Sequence, residues 1–267
     1  FLPATVVVST SSVRTTVTKL VGAEHFPAAY VDRALSLKAS YVAVQAKVGL
    51  SKRLVDAGAI VGGVGDGVDL LRMNGDDLRH MFDALAAGRV PPVVPFYCPV
   101  PTNFDPSLAP PGCQLLTACA VAPTTDVALA DPAPLWEKAM LATLRRVVPG
   151  LDEHAIFVDT FSTAFLERWI GKEFGPAVST GQTPGQVGKS RPPVFTPVRG
   201  LYLAGCGAGG RGVGTELAAA SAMECVDRVL VDLGLPLAPR PDVRLRDTSL
   251  RLASRALAAP LAWATRA

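Results

Sequence analysis

Apolar and polar residues follow two different periods along this chain, one typical of strands and one typical of helices. Alternating or β-branched apolar runs predict buried or half-buried strands, and they occupy residues 4–9, 40–50, 54–64, 113–122 and 155–161. Apolar residues three and four positions apart predict helices, over residues 12–20, 76–88, 133–148, 163–171 and 212–233. Strands and helices are interleaved with uneven connections. We therefore predict a mixed α/β (α+β) fold and not a regular βαβ series.

Several of these segments carry signals for where they begin and end. The serines at 11–12 and Asn74 are suitable helix N-caps, and Gly22 is a suitable helix end. Residues 90–100 are rich in proline, so we predict an extended segment that does not lie in the centre of a sheet. Residues 175–198 form a long loop of Gly, Pro and Gln, and loops of that length in a compact chain are usually functional.

The segment with the clearest chemical signal is residues 200–230, GLYLAGCGAGGRGVGTELAAASAMECVDRVL. It predicts a strand over residues 201–204, a turn crowded with glycines, and a long helix; we call residues 205–213 the glycine loop. Three glycines match the spacing G-x-G-x-x-G, namely Gly205, Gly207 and Gly210. A dinucleotide site also needs a second strand that ends in an acid about 20 residues further on. Asp227 and Asp232 have the right distance, but the apolar period predicts that the helix runs through both, which argues against an NAD fingerprint.

Two interpretations of the glycine loop remain open from the residues alone. The first turn of the helix presents unpaired amides over residues 212–216, and such amides suit a phosphate or the electron-rich edge of a flavin. Alternatively, the glycines only allow the helix to pack closely against a sheet. Glu216 in this turn is favourable for the helix dipole and carries no assigned chemistry.

A longer stretch around the loop resembles a known family of flavoproteins. Residues 191–222, RPPVFTPVRGLYLAGCGAGGRGVGTELAAASA, resemble the C-terminal signature of the phytoene desaturase family, which includes carotenoid isomerases and retinol saturases within the FAD-dependent amine oxidase superfamily. Residues 6–22, 105–117 and 181–193 resemble further motifs of this family in the same order. The resemblance covers roughly residues 4–235, and it is most specific over residues 191–216.

The resemblance implies an FAD cofactor, a hydrophobic substrate with a polyene as a candidate class, and chemistry of the carotenoid biosynthesis type. The cofactor-binding residues that it implies are Gly205, Cys206, Gly212, Val213, Gly214 and Thr215. No catalytic residue is assigned, because the flavin itself supplies the chemistry of hydride removal. The implied fold is a substrate domain with a mixed, largely antiparallel sheet and helices, followed by the C-terminal strand-loop-helix of an FAD-binding Rossmann-like domain.

The implied domains divide the chain into four parts. Residues 1–22 would return from the FAD-binding fold, residues 23–190 would form the substrate-binding domain, residues 191–235 would form the C-terminal FAD-binding segment, and residues 236–267 would form a tail. The tail is a weakly amphipathic, Arg-bearing segment, which we expect to be a surface helix, with peripheral membrane contact as the alternative.

The chain departs from the family at the site that would hold the ADP half of FAD. The N-terminal G-x-G-x-x-G is absent, and GGVGDG at residues 62–67 does not fit that pattern. Cys206 stands where relatives carry Ala or an acid, and Arg211 interrupts the glycines. We therefore expect the C-terminal part of an FAD-dependent oxidoreductase, desaturase- or isomerase-like, that acts only with an N-terminal FAD-binding half or partner chain. The alternative is a non-catalytic partner or scaffold subunit that retains the substrate-domain fold.

Composition narrows the remaining classes of function. The 26 basic and 23 acidic residues give a net charge of +3, which is too small and too scattered to predict nucleic-acid binding. The three histidines and five cysteines lack metal-ligand spacing, so we expect no metal site, a reduced compartment and a cytoplasmic location, with membrane association as the alternative. No uncharged run reaches the about 20 apolar residues of a membrane-spanning helix. Six aromatic residues could line an apolar tunnel or form ordinary core: Phe96, Tyr97, Phe104, Phe161, Phe165 and Trp169.

Overall fold

The structure is a computed structural model that describes residues 2–63, 72–125, 127, 133–171, 173–175 and 180–239. The chain divides into two compact units, residues 1–229 and residues 230–267, and the second is described only up to residue 239. The predicted domain boundaries after residues 22 and 190 both fall inside the first unit. The predicted amphipathic tail and most of the GGVGDG segment lie outside the described residues.

The described residues form helices and two separate sheets, so the predicted mixed α/β fold is confirmed. The strands are β1 (Val7–Ser9), β2 (Val42–Leu50), β3 (Ala59–Gly62), β4 (Phe96–Pro99), β5 (Gln114–Ala122), β6 (Ala155–Phe161) and β7 (Leu201–Leu203). The helices are α1 (Val13–Thr15), α2 (Ala28–Ser36), α3 (Gly75–Ala86), α4 (Ala133–Val147), α5 (Leu151–His154), α6 (Thr163–Ile170) and α7 (Gly214–Asp232). A π-helical turn, Thr16–Val21, continues α1.

The larger sheet has the strand order β3-β4-β5-β2-β6, and each of its four pairings is antiparallel. β5 alternates strictly between buried and half-buried residues, as expected for a strand with one face against a core. On the buried face, Val48 of β2 is the register partner of Leu116 of β5. Helix α4 belongs to the same core through Trp136, Met140 and Leu144, which are almost completely buried.

One prediction about this sheet is wrong. Residues 90–100 were expected to lie away from its centre, but β4 lies between β3 and β5. The prolines do not prevent this position because they lie outside the pairing with β5: Pro95 precedes the strand, and Pro99 is its last residue, opposite Ala59 of β3. Phe96 and Tyr97 form the pairing with β5, so neither proline has to donate a backbone hydrogen bond to β5.

Strand β6 forms one edge of the large sheet and exposes apolar side chains. It pairs with β2 alone among the described strands. Ile156, Phe157 and Val158 are 61%, 49% and 41% exposed. Asp159 is the strand's only charged residue.

The smaller sheet consists of the parallel strands β1 and β7, with Val8 opposite Tyr202. All three residues of β7 are buried, whereas Val7 and Val8 of β1 are exposed. Beside these strands, a buried hydrogen bond of 2.7 Å joins the hydroxyls of Ser9 and Thr16. The second sheet is therefore short and partly open, unlike the first.

The predicted helix boundaries agree with the structure. Ser12 caps α1 by accepting a hydrogen bond from the Thr15 amide at 3.0 Å, and the π-helical turn ends at Gly22. Asn74 caps α3 in a reciprocal capping box with Asp77. Helix α7 includes both Asp227 and Asp232, as predicted, so no second strand follows the glycine loop before residue 232. Among the described residues, no helix is both long enough and apolar enough to span a bilayer.

Candidate functional site

A groove of about 410 Å³ lies where the parallel strands β1 and β7 end. Its walls include Thr10, Ser11 and Ser12 after β1, the first residues of the glycine loop after β7, and Ala218 of α7. Ligands of open α/β sheets bind in the crevice outside the carboxyl ends of the parallel strands. The volume is also in the range of about 300–1,000 Å³ that is common for ligand pockets. The groove is therefore the strongest candidate site in the described part of the chain.

The glycine loop is fixed to α7 by side chains of that helix. The amide of Gly205 donates to the Ser221 hydroxyl at 3.0 Å, and the amide of Gly210 donates to a carboxylate oxygen of Glu224 at 2.7 Å. Ser221 is completely buried. Two of the loop's amides are thus occupied within the protein, and the loop is held in a defined shape.

Gly210 has a packing role that no other residue type could fill. Its φ of +64° is in the left-handed region, and an added Cβ would lie 2.8 Å from the Ser221 amide nitrogen and 2.9 Å from the Leu217 carbonyl oxygen. Real Cβ atoms do not approach backbone atoms so closely, so the loop reaches α7 only because residue 210 is glycine. The packing interpretation of the glycines therefore holds at Gly210, while Gly205 and Gly207 line the groove.

The structure separates the predicted cofactor-binding residues into two groups. Gly205 and Cys206 lie in the groove wall. Gly212, Val213 and Thr215 are exposed at the start of α7 and are not among the residues that line the groove. The Cys206 thiol connects the groups by donating to the Gly214 carbonyl oxygen at 3.2 Å. Cofactor binding by these six residues stays a prediction.

Sequence reasoning missed the three hydroxyl residues that follow β1. Ser12 is occupied as the cap of α1, but Thr10 and Ser11 are exposed, and their side chains form no hydrogen bond with the described residues. Their hydroxyls are available to a ligand in the groove. The sequence did contain a signal for these residues. They directly follow one predicted strand, and the glycine loop directly follows another, so the two could have been expected to lie near each other.

The six aromatic residues proposed for an apolar tunnel do not line this groove. Phe96 belongs to the core of the large sheet, whereas Tyr97 and Phe104 are exposed. The other three form a ladder. The Phe165 ring stacks on Trp169 with ring centres 5.7 Å apart, and it is tilted by 54° against the Phe161 ring, whose centre is 5.1 Å away. Ile170, next to the last ring of this ladder, is in the groove wall.

The cysteines of the chain are free thiols. Burial raises the pKa of Cys98 to about 12, and it also raises the pKa of Cys119 and of Cys225. These three thiols stay protonated at neutral pH and are poor nucleophiles, because the thiolate is the reactive form. None of the three lines the groove.

Comparisons with known proteins show a shared fold and no family. No model of a protein family matches the sequence, and no functionally curated protein matches it. The fold is similar to the crystal structure of an oxidoreductase from Methanosarcina mazei, with 19% identity and a TM-score of 0.51. That similarity covers 84% of this chain and 43% of the other, so this chain spans less than half of the other protein's length.

A second solved structure, the PF1083 protein from Pyrococcus furiosus, is a weaker match. Its TM-score is 0.42 and its identity is 16%, over 89% of this chain and 42% of the other.

Proposed function

We propose that this chain is the C-terminal part of an FAD-dependent oxidoreductase that acts on a hydrophobic substrate, with a polyene as the preferred class. The observation that carries the proposal is the groove at the ends of β1 and β7, walled by a loop whose sequence resembles the phytoene desaturase family. The protein of similar fold from Methanosarcina mazei is described as an oxidoreductase, which supports the general class.

The groove suits the flavin end of the cofactor. Gly205 and Gly207 present backbone without side chains, so a flat ring could approach closely. Thr10 and Ser11 offer hydroxyls in the groove wall, which suit the polar edge of a flavin. The flavin supplies the hydride chemistry when bound, while this chain's residues orient the ring and exclude water. No comparable set of groups for the ADP end is found among the described residues.

The open parallel sheet supports the need for another segment or chain. Parallel sheets are ordinarily covered on both faces, and a two-stranded sheet is marginal by itself. Here β1 leaves Val7 and Val8 half exposed, at 50% and 45%. We propose that further strands pair with this sheet and bring the ADP-binding fingerprint. The similar oxidoreductase has more than half of its length outside the matched region, which agrees with this proposal.

A matched pair of substitutions on α7 tests the site. Ala218 lines the groove, and its neighbour Ala219 is exposed and does not. The protein should be purified together with any chain that accompanies it, and its visible spectrum should show a flavin band near ~450 nm. We expect Ala218→Trp to lose that band and Ala219→Trp to keep it, because only the first substitution fills the groove.

Two outcomes would contradict this proposal. If the parent protein lacks the flavin band, the non-catalytic partner or scaffold subunit becomes the better interpretation. If both variants keep the band with equal flavin content, the protein binds flavin at a different place. A native-like circular dichroism spectrum of both variants is the control for folding.

A further inference from the structure

A second cavity, of about 310 Å³, lies between α2 and the segment that contains the Arg-Pro-Pro sequence. Its walls are mostly apolar and include Val13, Ala34, Pro192, Pro193, Phe195 and Pro197. It shares only Val13 with the residues of the groove. The inference below goes beyond the proposed oxidoreductase function and does not depend on it.

Arg191 contributes a buried positive charge to the wall of this cavity. The residue is only 6% exposed. Its Nη1 donates to the Gly209 carbonyl oxygen at 3.3 Å and its Nη2 donates to the Gln182 side-chain oxygen at 3.1 Å. Within the described residues, its Nε has no hydrogen-bond partner and its guanidinium forms no ion pair with a carboxylate. A buried guanidinium normally pairs with an anion, so Arg191 lacks the partner that its burial demands.

A second buried polar group in the same wall also lacks a partner. The Tyr30 hydroxyl is buried and forms no hydrogen bond with the part of the chain that the structure describes. The Tyr30 ring stacks on Phe26 with ring centres 5.4 Å apart. Burial raises the pKa of Tyr30, so the hydroxyl keeps its proton and remains a donor. Unsatisfied buried polar groups are uncommon in native proteins. Two of them in the wall of one cavity indicate a ligand that accepts hydrogen bonds.

The positive character of the site extends beyond Arg191. Arg33 of α2 lines the cavity, and its Nη2 donates to the carbonyl oxygens of Gly185 and Ser190 at 2.7 Å and 2.6 Å. Arg33 adds positive charge that favours an anion in this cavity, while the proline and aromatic walls favour an apolar body.

We propose that this cavity binds a small amphipathic carboxylate. Its carboxylate pairs with Arg191 and accepts a hydrogen bond from the Tyr30 hydroxyl, after small side-chain shifts that bring both groups into contact with it. Its short alkyl or aromatic part packs against the prolines and Phe195. An inorganic anion fits less well, because it would leave the apolar walls without a partner.

Calorimetry with three probes tests the chemistry of the ligand. The protein, together with any chain that accompanies it, is titrated with octanoate, octylamine and acetate. We expect octanoate to bind, octylamine of equal length but opposite charge not to bind, and acetate to bind at least about tenfold more weakly. The proposal is wrong if octanoate does not bind or if octylamine binds equally well, and the buried charge would then be matched by a carboxylate of another protein segment.

Two pairs of variants place the binding at this cavity. Tyr30→Phe removes a hydroxyl that has no partner, so folding should be unaffected, and octanoate should bind about tenfold more weakly. Its control is Tyr41→Phe, at an exposed tyrosine that does not line the cavity. Ser190→Trp adds bulk at an exposed wall residue, and we expect it to abolish octanoate binding, whereas Thr183→Trp, outside the wall, should not.

Equal octanoate affinity in Ser190→Trp and Thr183→Trp would overturn the assignment to this cavity. Flavin content is expected to stay equal in all four variants, because none of the four residues lines the groove. A failure of the flavin proposal would therefore leave the carboxylate result interpretable, and the reverse also holds.

Discussion

The large antiparallel sheet and the region around the glycine loop are held together by different kinds of contact. The sheet core consists of apolar side chains with no exposed surface, such as Val48, Leu50 and Leu116. The glycine-loop region has smaller apolar clusters and depends on directional polar contacts, such as the hydrogen bond of Gly205 to Ser221. Burial of apolar area is non-directional and tolerates small shifts, whereas a buried polar group must meet its partner.

This difference indicates where the molecule is ready to bind something. In the sheet region, Gln114 is buried and its side chain bonds to the backbone of residues 54–55 and to Asn103. In the glycine-loop region, the Arg191 Nε and the Tyr30 hydroxyl are buried without a hydrogen-bond partner among the described residues. Gln114 is thus satisfied by its own region, whereas these two groups are not. Because Val7 and Val8 of β1 are also exposed in the second region, we infer that its partners are ligands and further protein.

The largest effect is expected from a cavity in the sheet core. Leu116→Ala removes a completely buried side chain, and we expect a loss of about 2–5 kcal/mol in the free energy of unfolding. Leu135→Ala is the matched control, because Leu135 on α4 is 43% exposed and should cost less than about 1 kcal/mol. Urea unfolding followed by circular dichroism measures both. Equal losses would show that the sheet region is not the tightly packed part of the chain.

A smaller effect is expected from a Cβ in the glycine loop. Gly210→Ala combines a positive φ with contacts below 3.0 Å to the backbone of α7. Gly112, in the turn before β5, has a φ of +82° and open space around it. Gly112→Ala therefore measures the free-energy cost of a side chain at positive φ without any close contact. We expect about 1 kcal/mol for Gly112→Ala and a further ~1–2 kcal/mol for Gly210→Ala.

The same pair sharpens the comparison of the two regions. Flavin content should fall in Gly210→Ala and stay unchanged in Gly112→Ala, because only the first moves the loop that walls the groove. If Gly210→Ala lowers the free energy of unfolding by no more than Gly112→Ala does, the glycine loop does not pack closely against α7.

The smallest effect near neutral pH is expected from the Cys98 thiol, which is buried in the sheet core and makes the free energy of unfolding depend on pH. Burial is the main cause that raises the pKa of Cys98 to about 12; Cys119 adds to the rise and the Thr117 backbone opposes it. An unfolded thiol loses its proton above pH ~8.5, while the folded one keeps it. Its contribution to stability is therefore complete below that pH and falls by about 1.4 kcal/mol per pH unit as the pH rises toward the folded value.

Unfolding of the parent and of Cys98→Ala under reducing conditions checks this dependence. At neutral pH the variant should show only the cost of its small cavity. At about pH 9–10 the parent should lose stability with a slope that is steeper by one proton than that of Cys98→Ala. Parallel slopes would mean that water reaches the Cys98 thiol in the folded protein.

Local signals in the sequence were sufficient for much of the fold. The alternation of residues 113–122 predicted β5, the caps at Ser12 and Asn74 predicted two helix starts, and the apolar period predicted that α7 passes through Asp227. Each of these features is decided by residues that are neighbours in the chain. The position of β4 was predicted wrongly because the number of prolines in the segment says less than their places relative to the paired residues.

The candidate site could be predicted only in part, since its contacts join distant residues. The glycine spacing indicated a loop between strand and helix, but not that Gly210 serves packing while Gly205 lines a groove. No local sequence pattern predicts hydrogen bonds such as that of Arg191 to Gly209 or of Arg33 to Gly185. The second cavity could not be predicted either, because its walls also come from distant parts of the chain.

The exposed edge strand β6 has a consequence for how the protein must be handled. Its outer backbone groups and the side chains of Ile156, Phe157 and Val158 form a ready template for a strand of another molecule. Asp159 is the one charge along it that repels such an approach. Purification at high concentration therefore favours intermolecular strand pairing and loss of material. An Ile156→Lys variant would protect the edge without touching either cavity.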